Sequence, residues 1–165
     1  MIEACGGTGC ASEAVPLLHS AVRALVARPP SSFTRADGCA MKTELRVYSE
    51  DEIVRRLAAE LPHWYYENGT IRRKYRTEGW KGTLMVVGAI GHLAEAAWHH
   101  PDLTVSYAFV IVKLTTHVAK GVTDRDFALA RKIEEVVHWQ PALEGGALEG
   151  TPSDDQRFRY IKYDG

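Results

Sequence analysis

The chain has little cysteine, and all of it lies near one end. Only three of the 165 residues are cysteines, and all of them precede Met41. A disulfide framework is therefore not part of the fold in the rest of the chain, which suits a reducing compartment. We accordingly predict a cytoplasmic protein.

Long apolar runs and an excess of either charge are also missing. No stretch approaches the roughly 20 apolar residues that a membrane-spanning helix needs, and the formal net charge is -1. Glycine patterns such as GxGxxG and the phosphate loop are absent as well. We therefore expect no membrane, nucleic-acid or dinucleotide partner. Apolar residues at 45% and charged residues at 25% are typical of a single globular domain.

Composition divides the chain into three parts. Residues 1–45 hold all the cysteines with paired glycines, prolines and serines, and we interpret them as a leader that is disordered or absent from the mature protein. An organellar transit peptide is an alternative interpretation, although the acidic residues in this segment argue against it. Residues 46–140 form the predicted folded domain. Residues 141–165 are predicted to form a C-terminal loop that leads into an edge strand or a docked tail.

Capping and turn signals in the predicted domain alternate between helix and strand. Ser49 and Glu52 form a capping box that opens a first helix, and Asn68-Gly69 marks a turn between two strands. Three elements follow: a helix at about residues 77–99, β-type residues from 103 to 115 with a turn near 104–106, and a helix that begins at Thr123. This order predicts an α+β fold, in which an antiparallel sheet carries helices on one face.

Residues that could take part in catalysis are concentrated between positions 95 and 126. His99 and His100 precede Pro101, His117 follows a β-type run, and Asp126 lies at the start of the third predicted helix. Histidine is the side chain that both takes and gives a proton near neutral pH. Three histidines in this segment therefore indicate proton-transfer chemistry on a small polar molecule.

The same residues also have structural interpretations. His99 and His100 could be cations that the dipole favours at a helix C-terminus, and Asp126 could be only the partner in a helix cap. Glu95, His99 and His117 could instead form a metal site, because zinc accepts histidine and carboxylate ligands. There is no HExxH motif, and adjacent histidines point in different directions, so we predict no metal ligands.

The spacing of these residues resembles the pterin-4a-carbinolamine dehydratase family. The resemblance covers about residues 48–138 and leaves the leader and the tail outside. The upstream hairpin fits it through Trp64, Ile71 and Tyr75. The segments that carry it are Glu95-x-x-x-His99-His100-Pro101, Tyr107, Leu114-Thr115-Thr116-His117 and Gly121-x-Thr123-x-x-Asp126-x-x-Leu129-Ala130.

This resemblance implies a fold and a reaction. The implied fold is a four-stranded antiparallel sheet with three helices packed on one face, assembled as a homodimer or homotetramer. The implied reaction is the loss of water from 4a-hydroxytetrahydropterin, the 4a-carbinolamine, to give quinonoid dihydropterin. This step recycles tetrahydrobiopterin, or a related pterin, after an aromatic amino acid hydroxylase has used it. The pterin is the substrate, and neither a metal nor a bound cofactor is implied.

The resemblance also assigns roles to single residues. His99 and His117 are the implied acid/base pair, and His100 binds and orients the pterin while it shares in proton transfer. The implied substrate-binding or orienting residues are Glu95, Pro101 and Asp126. A non-catalytic dimerisation or assembly factor with the same fold is the alternative. Because all three histidines are retained here, the sequence favours the enzyme.

Overall fold

Four antiparallel strands and three helices make up the folded part of the chain. The computed structural model describes residues 45–152 and 154–163, so the predictions for the leader and its cysteines lie outside the described residues. The strands are β1 Tyr65–Glu67, β2 Thr70–Arg76, β3 Asp102–Ser106 and β4 Phe109–Leu114, and they lie in the order β1-β2-β4-β3. The helices are α1 Glu50–Glu60, α2 Gly79–Ala97 and α3 Asp124–Val137. The predicted α+β fold is confirmed.

The first hairpin forms around the predicted turn at Asn68-Gly69. These two residues have φ values of 50° and 75°, as a two-residue type I′ turn requires. Glu67 pairs directly with Thr70 across the turn. Because side chains alternate along a strand, this register decides which residues of β2 face the core.

The hydrophobic core lies between one face of the sheet and the helices. Ile71 and Tyr75 of β2 are fully buried there, as are Val110, Val112 and Leu114 of β4. They form one cluster with the buried side chains of α1, α2 and α3. Burial of each such side chain contributes on the order of 1.5–3 kcal/mol to folding before entropy is subtracted, so this face holds the helices to the sheet.

Helix α2 differs from the prediction at its ends and in the face that it buries. It spans Gly79–Ala97 rather than residues 77–99. Apolar spacing predicts that Trp80 and Leu84 face inward, but they are 48% and 49% exposed. The buried residues are Gly82, Thr83, Val86, Ile90 and Ala94. Since α2 is apolar on nearly every side, spacing alone does not select the face that packs.

The β-type run divides into β3 and β4 slightly later than predicted. The turn lies at Tyr107-Ala108, and Ser106 pairs with Phe109 across it. The sequence predicts the turn near residues 104–106. No glycine or asparagine marks this turn, so its position depends on pairing with the rest of the sheet.

Capping boxes open the first and the third helix, as predicted. Ser49 and Glu52 form the box of α1, and Thr123 and Asp126 form the box of α3. Each box satisfies main-chain N–H groups that a helix start leaves without partners. In the described part of the chain, no helix combines the length and the apolar character needed to cross a membrane.

The end of the chain docks on the start of α2. The main-chain N–H of Glu78 donates to the carbonyl oxygen of Tyr160 over 3.1 Å, and an antiparallel bridge joins Thr77 to Ile161. Ile161 is 5% exposed and belongs to the core. At Gly82, a Cβ would lie 1.9 Å from the Tyr160 carbonyl oxygen. The docked tail therefore requires glycine at that position.

Candidate active site

His99 lies just outside α2 because the helix ends two residues before it. Trp98 adopts a left-handed conformation with φ of 50°, and the N–H of His99 donates to the carbonyl oxygen of Ala94 over 3.1 Å. This is the hydrogen-bond pattern of a Schellman C-cap, in which glycine usually takes the left-handed position. The cap turns the chain from α2 towards β3 and sets the direction of the His99 side chain.

The imidazole of His99 faces a buried carboxylate. Its Nε2 atom lies 2.7 Å from Oδ1 of Asp126. The Asp126 side chain is fully buried, and the His99 side chain is 11% exposed. A carboxylate at Nε2 favours the tautomer in which Nε2 carries the proton, so Nδ1 is the nitrogen left for proton exchange. Nδ1 has no hydrogen-bond partner within the described residues.

The connection between β4 and α3 holds the second oxygen of Asp126. Oδ2 accepts hydrogen bonds from the hydroxyl of Thr116 and from the N–H of Thr123, each over 2.8 Å. The two threonine hydroxyls lie 2.7 Å apart, and both residues are buried. Asp126 therefore caps α3 and contacts His99 at the same time. Several donors on one buried carboxylate hold it in a single orientation.

His100 and Glu95 form a second pair, which is exposed. His100 Nε2 lies 3.1 Å from Glu95 Oε2, and the side chains are 54% and 69% exposed. Helical spacing places Glu95 one turn before His99 on the same face, but α2 has ended before His99, so Glu95 reaches His100 instead. Exposed pairs of this kind contribute little to stability. Pro101 follows and leads directly into β3.

His117 lies in a short 3-10 turn, His117–Ala119, directly after β4. Its side chain is exposed and makes no hydrogen bond or ion pair with the described residues. The preceding residue, Thr116, is bonded to Asp126, and consecutive Cα atoms are about 3.8 Å apart. The backbone of His117 therefore lies beside the pair of His99 and Asp126.

A cavity of about 580 Å³ opens beside His99 between α2 and α3. Most of its lining is apolar, and the lining also includes Trp98, His99, Arg125 and Lys132. This volume suits a small molecule. In residues 45–152 and 154–163, no three histidine, cysteine or acidic side chains are grouped to hold a metal ion.

Two residues of this site were not predicted as site residues from the sequence. The hydroxyls of Thr116 and Thr123 hydrogen-bond to the carboxylate of Asp126. A threonine at a strand end or a helix cap, however, usually has an ordinary structural role. The signal that could have identified Thr116 is its position directly before His117. A side chain that precedes a candidate histidine at the end of a buried strand faces the core.

Comparisons with known proteins show the same family for most of the described chain. A family profile described as pterin 4 alpha carbinolamine dehydratase matches residues 46–136. A relative from Aquifex aeolicus, named "Putative pterin-4-alpha-carbinolamine dehydratase", is 50% identical over 93 residues, which are 56% of this chain and 93% of the relative. A relative of the same name from Chloroflexus aurantiacus is 44% identical over 89 residues, or 54% of this chain and 95% of the relative.

A solved structure has the same fold. The crystal structure of a transcriptional coactivator/pterin dehydratase from Brucella melitensis is 26% identical to this chain and gives a TM-score of 0.51. The match covers 56% of this chain and 99% of that structure. All the candidate site residues, from Glu95 to Asp126, lie inside the range of the family profile. The chain belongs to the pterin-4-alpha-carbinolamine dehydratase family.

Proposed function

We propose that the chain removes water from 4a-hydroxytetrahydropterin and releases quinonoid dihydropterin. The contact of His99 Nε2 with Oδ1 of buried Asp126, 2.7 Å long, is the observation that carries this proposal. A carboxylate behind one ring nitrogen stabilises the imidazolium and leaves the other nitrogen to exchange a proton. Family membership supports a pterin substrate. An aromatic amino acid hydroxylase is the proposed source of this pterin.

Dehydration requires an acid for the departing hydroxyl and a base for a proton of the ring. In the proposed step, Nδ1 of the His99 imidazolium gives its proton to the hydroxyl on C4a, and the C4a–O bond breaks. The lone pair of the neighbouring ring nitrogen forms the new double bond, and the ring then loses a proton to His117. The net change is the loss of one water. Each such group typically contributes about 10²–10⁴-fold to the rate.

Binding and orientation are assigned to the exposed residues beside this pair. Nε2 of His100 lies 3.1 Å from Oε2 of Glu95, and both side chains are exposed. A pterin ring can therefore form hydrogen bonds with both. Pro101 limits the chain direction after the histidines because its φ is nearly invariant. We therefore propose that these three residues orient the pterin while His99 and His117 transfer protons.

Ultraviolet absorbance of chemically prepared 4a-hydroxytetrahydropterin tests this proposal directly. The intact chain should accelerate the decay, and His99→Ala and His117→Ala should each remove most of the acceleration. The matched controls are His63→Ala and His92→Ala, since both are exposed histidines outside the site, and these variants should retain it. Activity that survives both site substitutions would overturn the acid/base assignment. No acceleration by the folded parent chain would overturn the dehydratase.

The exposed face of α2 favours a second proposal, that copies of this chain associate. Trp80, Leu84 and Met85 are 48%, 49% and 50% exposed. On the same helix, a Cβ added at Gly88 or Gly91 would meet no neighbour, so another helix could approach closely there. Contiguous exposed apolar residues of this kind mark interaction surfaces. We propose a homodimer or homotetramer formed through α2, and a scaffold role would use the same face.

Light scattering of the Leu84→Glu variant tests this association. The parent should have the mass of two or four chains, and the variant should have a lower mass because a charge would be buried at the contact. Val54→Glu is the control, since Val54 is similarly exposed, at 50%, but lies on α1. A monomeric parent, or an equal effect of both substitutions, would contradict association through α2.

A further inference from the structure

The residue directly before the two adjacent site histidines is a tryptophan that the fold leaves exposed. Trp98 is 76% exposed, more than any other tryptophan, tyrosine or phenylalanine of the described residues. Tryptophan is highly buried on average, because its indole has a large apolar surface. In the segment Glu95-x-x-x-His99-His100-Pro101, which carries the family resemblance, position 98 is one of the unspecified positions. The family pattern therefore does not explain the tryptophan.

The backbone at Trp98 does not explain it either. With φ of 50° and ψ of 42°, the residue lies in the left-handed region, where a Cβ is strained and helix ends usually have glycine. The hydrogen bonds of this cap are made by main-chain atoms, so they require no particular side chain. Strained residues of this kind cluster at functional sites. A bulky, exposed side chain at a glycine position therefore suggests a role outside the fold.

The indole of Trp98 contacts the candidate site in two ways. It lines the cavity of about 580 Å³ beside His99. Its ring also packs edge-on against the imidazole of His100, with the centroids 5.5 Å apart and the planes at 76°. A molecule held in this cavity therefore meets the surface of the indole and the imidazole of His99 together.

Stacking on an indole suits the chemistry of the proposed substrate. The pyrimidine ring of a pterin is a flat conjugated heterocycle that resembles a nucleobase. Stacking of a nucleobase on an aromatic side chain typically strengthens binding by about 10–100-fold. The indole contacts a face of the ring, so the polar edge of the ring stays available for the hydrogen bonds assigned to His100 and Glu95.

We propose that Trp98 binds the substrate by stacking its indole on the pyrimidine ring of the pterin. The identity of this ligand rests on the proposed dehydration. Trp98 exchanges no proton, so it contributes to binding and not to the acid/base step. Glycine would suit the backbone at position 98 better, but it cannot supply this surface. The chain therefore exchanges some stability at the end of α2 for affinity.

Nuclear magnetic resonance of the ¹⁵N-labelled intact chain tests the contact, with 7,8-dihydrobiopterin as an unreactive probe. The chain has four tryptophans, and Trp98→Phe identifies which indole N–H signal belongs to Trp98. That signal should move saturably as the probe is added. The signal of Trp139, whose indole N–H donates to Glu144, should stay in place, because Trp139 does not line this cavity.

The Trp98→Gly variant separates a binding role from a structural one, because it should improve the fold while it weakens binding. Its midpoint of thermal unfolding should rise by about 2–5 °C, since glycine fits the left-handed backbone. Its affinity for 7,8-dihydrobiopterin, measured by calorimetry, should fall by about 10–100-fold. Its KM for 4a-hydroxytetrahydropterin should rise by a similar factor, with kcat within about threefold of the parent.

Two further variants serve as controls. Trp98→Phe keeps an aromatic ring and should retain most of the affinity. Trp139→Ala removes a tryptophan that is 49% exposed outside the cavity, and it should leave the affinity and KM unchanged.

Three results would overturn the proposal. The first is an unmoved Trp98 signal at millimolar 7,8-dihydrobiopterin, or unchanged affinity and KM in Trp98→Gly. The second is a lower unfolding midpoint together with the weaker affinity, which would assign Trp98 a structural role. The third is a lower mass of Trp98→Gly in light scattering with unchanged affinity, which would place Trp98 in a contact between copies. If the parent binds the probe through Trp98 but does not accelerate dehydration, the stacking stands and the proposed dehydration fails.

Discussion

Helix α3 carries a carboxylate near each end, fully buried at Asp126 and half-buried at Glu134, and the two have different surroundings. Asp126, in the first turn, faces His99 and the hydroxyls of Thr116 and Thr123. Glu134, in the last turn, accepts hydrogen bonds from side chains of β2 and from Trp64, which directly precedes β1. Its donors are Trp64 at 2.9 Å, Arg73 at 3.3 Å and Tyr75 at 2.7 Å. His138 lies 3.2 Å from its other oxygen.

The surroundings of Glu134 keep it charged. Burial alone would raise the pKa of this carboxyl, but hydrogen bonds from His138 and Tyr75 and the charge of Arg73 outweigh that effect and lower the pKa of Glu134 to about 2. Burial, with the Glu134 charge next, also raises the pKa of the Tyr75 hydroxyl above its ordinary range. The carboxyl of Glu134 and the hydroxyl of Tyr75 therefore do not exchange protons near neutral pH, and their contact joins α3 to β2.

The contrast between the two carboxylates shows what distinguishes a structural charge from a candidate catalytic one. Glu134 is neutralised by arginine, whose charge is permanent. Asp126 has His99 as its only ionisable partner among the described residues, and His99 lines the cavity between α2 and α3. The difference therefore lies in the histidine partners: His99 lines a cavity, whereas the second ring nitrogen of His138, the histidine beside Glu134, is buried.

Substitutions of the two carboxylates should differ most in their effect on kcat. Asp126→Asn should lower kcat for pterin dehydration by about 10²–10⁴-fold, because an amide neither stabilises the imidazolium nor holds the same tautomer. Thr123 remains the N-cap of α3 and still accepts from the N–H of Arg125, so the helix should remain. Glu134→Gln should leave kcat within about twofold. Stopped-flow absorbance compares them, and equal kcat values would contradict the distinction.

In stability, Glu134 should differ clearly from an exposed carboxylate on the same helix. Glu134→Gln should reduce the free energy of unfolding by about 3 kcal/mol, because it removes a charged acceptor that pairs with Arg73 and accepts from Trp64 and Tyr75. Glu135→Gln is the matched control, since Glu135 is exposed and pairs with Lys132 on the same helix, and it should change stability by less than about 0.5 kcal/mol. Urea unfolding measures both. Similar losses would show that the buried network does not stabilise the fold.

Acid should weaken the Glu134 network in a defined range of pH. The pKa of Glu134 is depressed from 4.5 to about 2 in the fold, so its stabilisation is complete above pH 4.5 and is lost as the pH falls towards 2. The loss should be on the order of 2–3 kcal/mol. Unfolding free energies at successive pH values should fall more steeply for the parent than for Glu134→Gln. Parallel curves would rule out this contribution.

The smallest effect should come from the tail, which reaches the Glu134 end through Tyr163 and His138. Gly82→Ala should destabilise by about 1–3 kcal/mol, because its Cβ meets the Tyr160 carbonyl. Gly146→Ala, where an added Cβ would meet nothing within 4 Å, should change stability by less than about 0.5 kcal/mol. Thermal unfolding distinguishes them. The kcat of Gly82→Ala should match that of the parent, and a lower kcat would link the tail to the histidine site.

Predictions that depended on neighbouring residues agree better with the structure than predictions that depended on distant ones. The capping boxes at Ser49 and Thr123 and the turn at Asn68-Gly69 are confirmed, because each is decided within four residues. The prediction that Trp80 and Leu84 face inward is wrong, because the buried face of α2 depends on which side the sheet and α3 cover. The division of the chain at residues 45 and 140, the cytoplasmic location and the catalytic roles stay predictions.

By itself, the sequence determined the elements, the fold class and the histidines available to the site, because periodicity, caps and turns are local properties. Only the tertiary structure decided which carboxylate each histidine meets. Helical spacing pairs His99 with Glu95, yet the left-handed Trp98 ends α2 and turns His99 towards Asp126, 27 residues away. That contact exists because the sheet brings the end of α2 and the start of α3 together, and no local pattern encodes such packing.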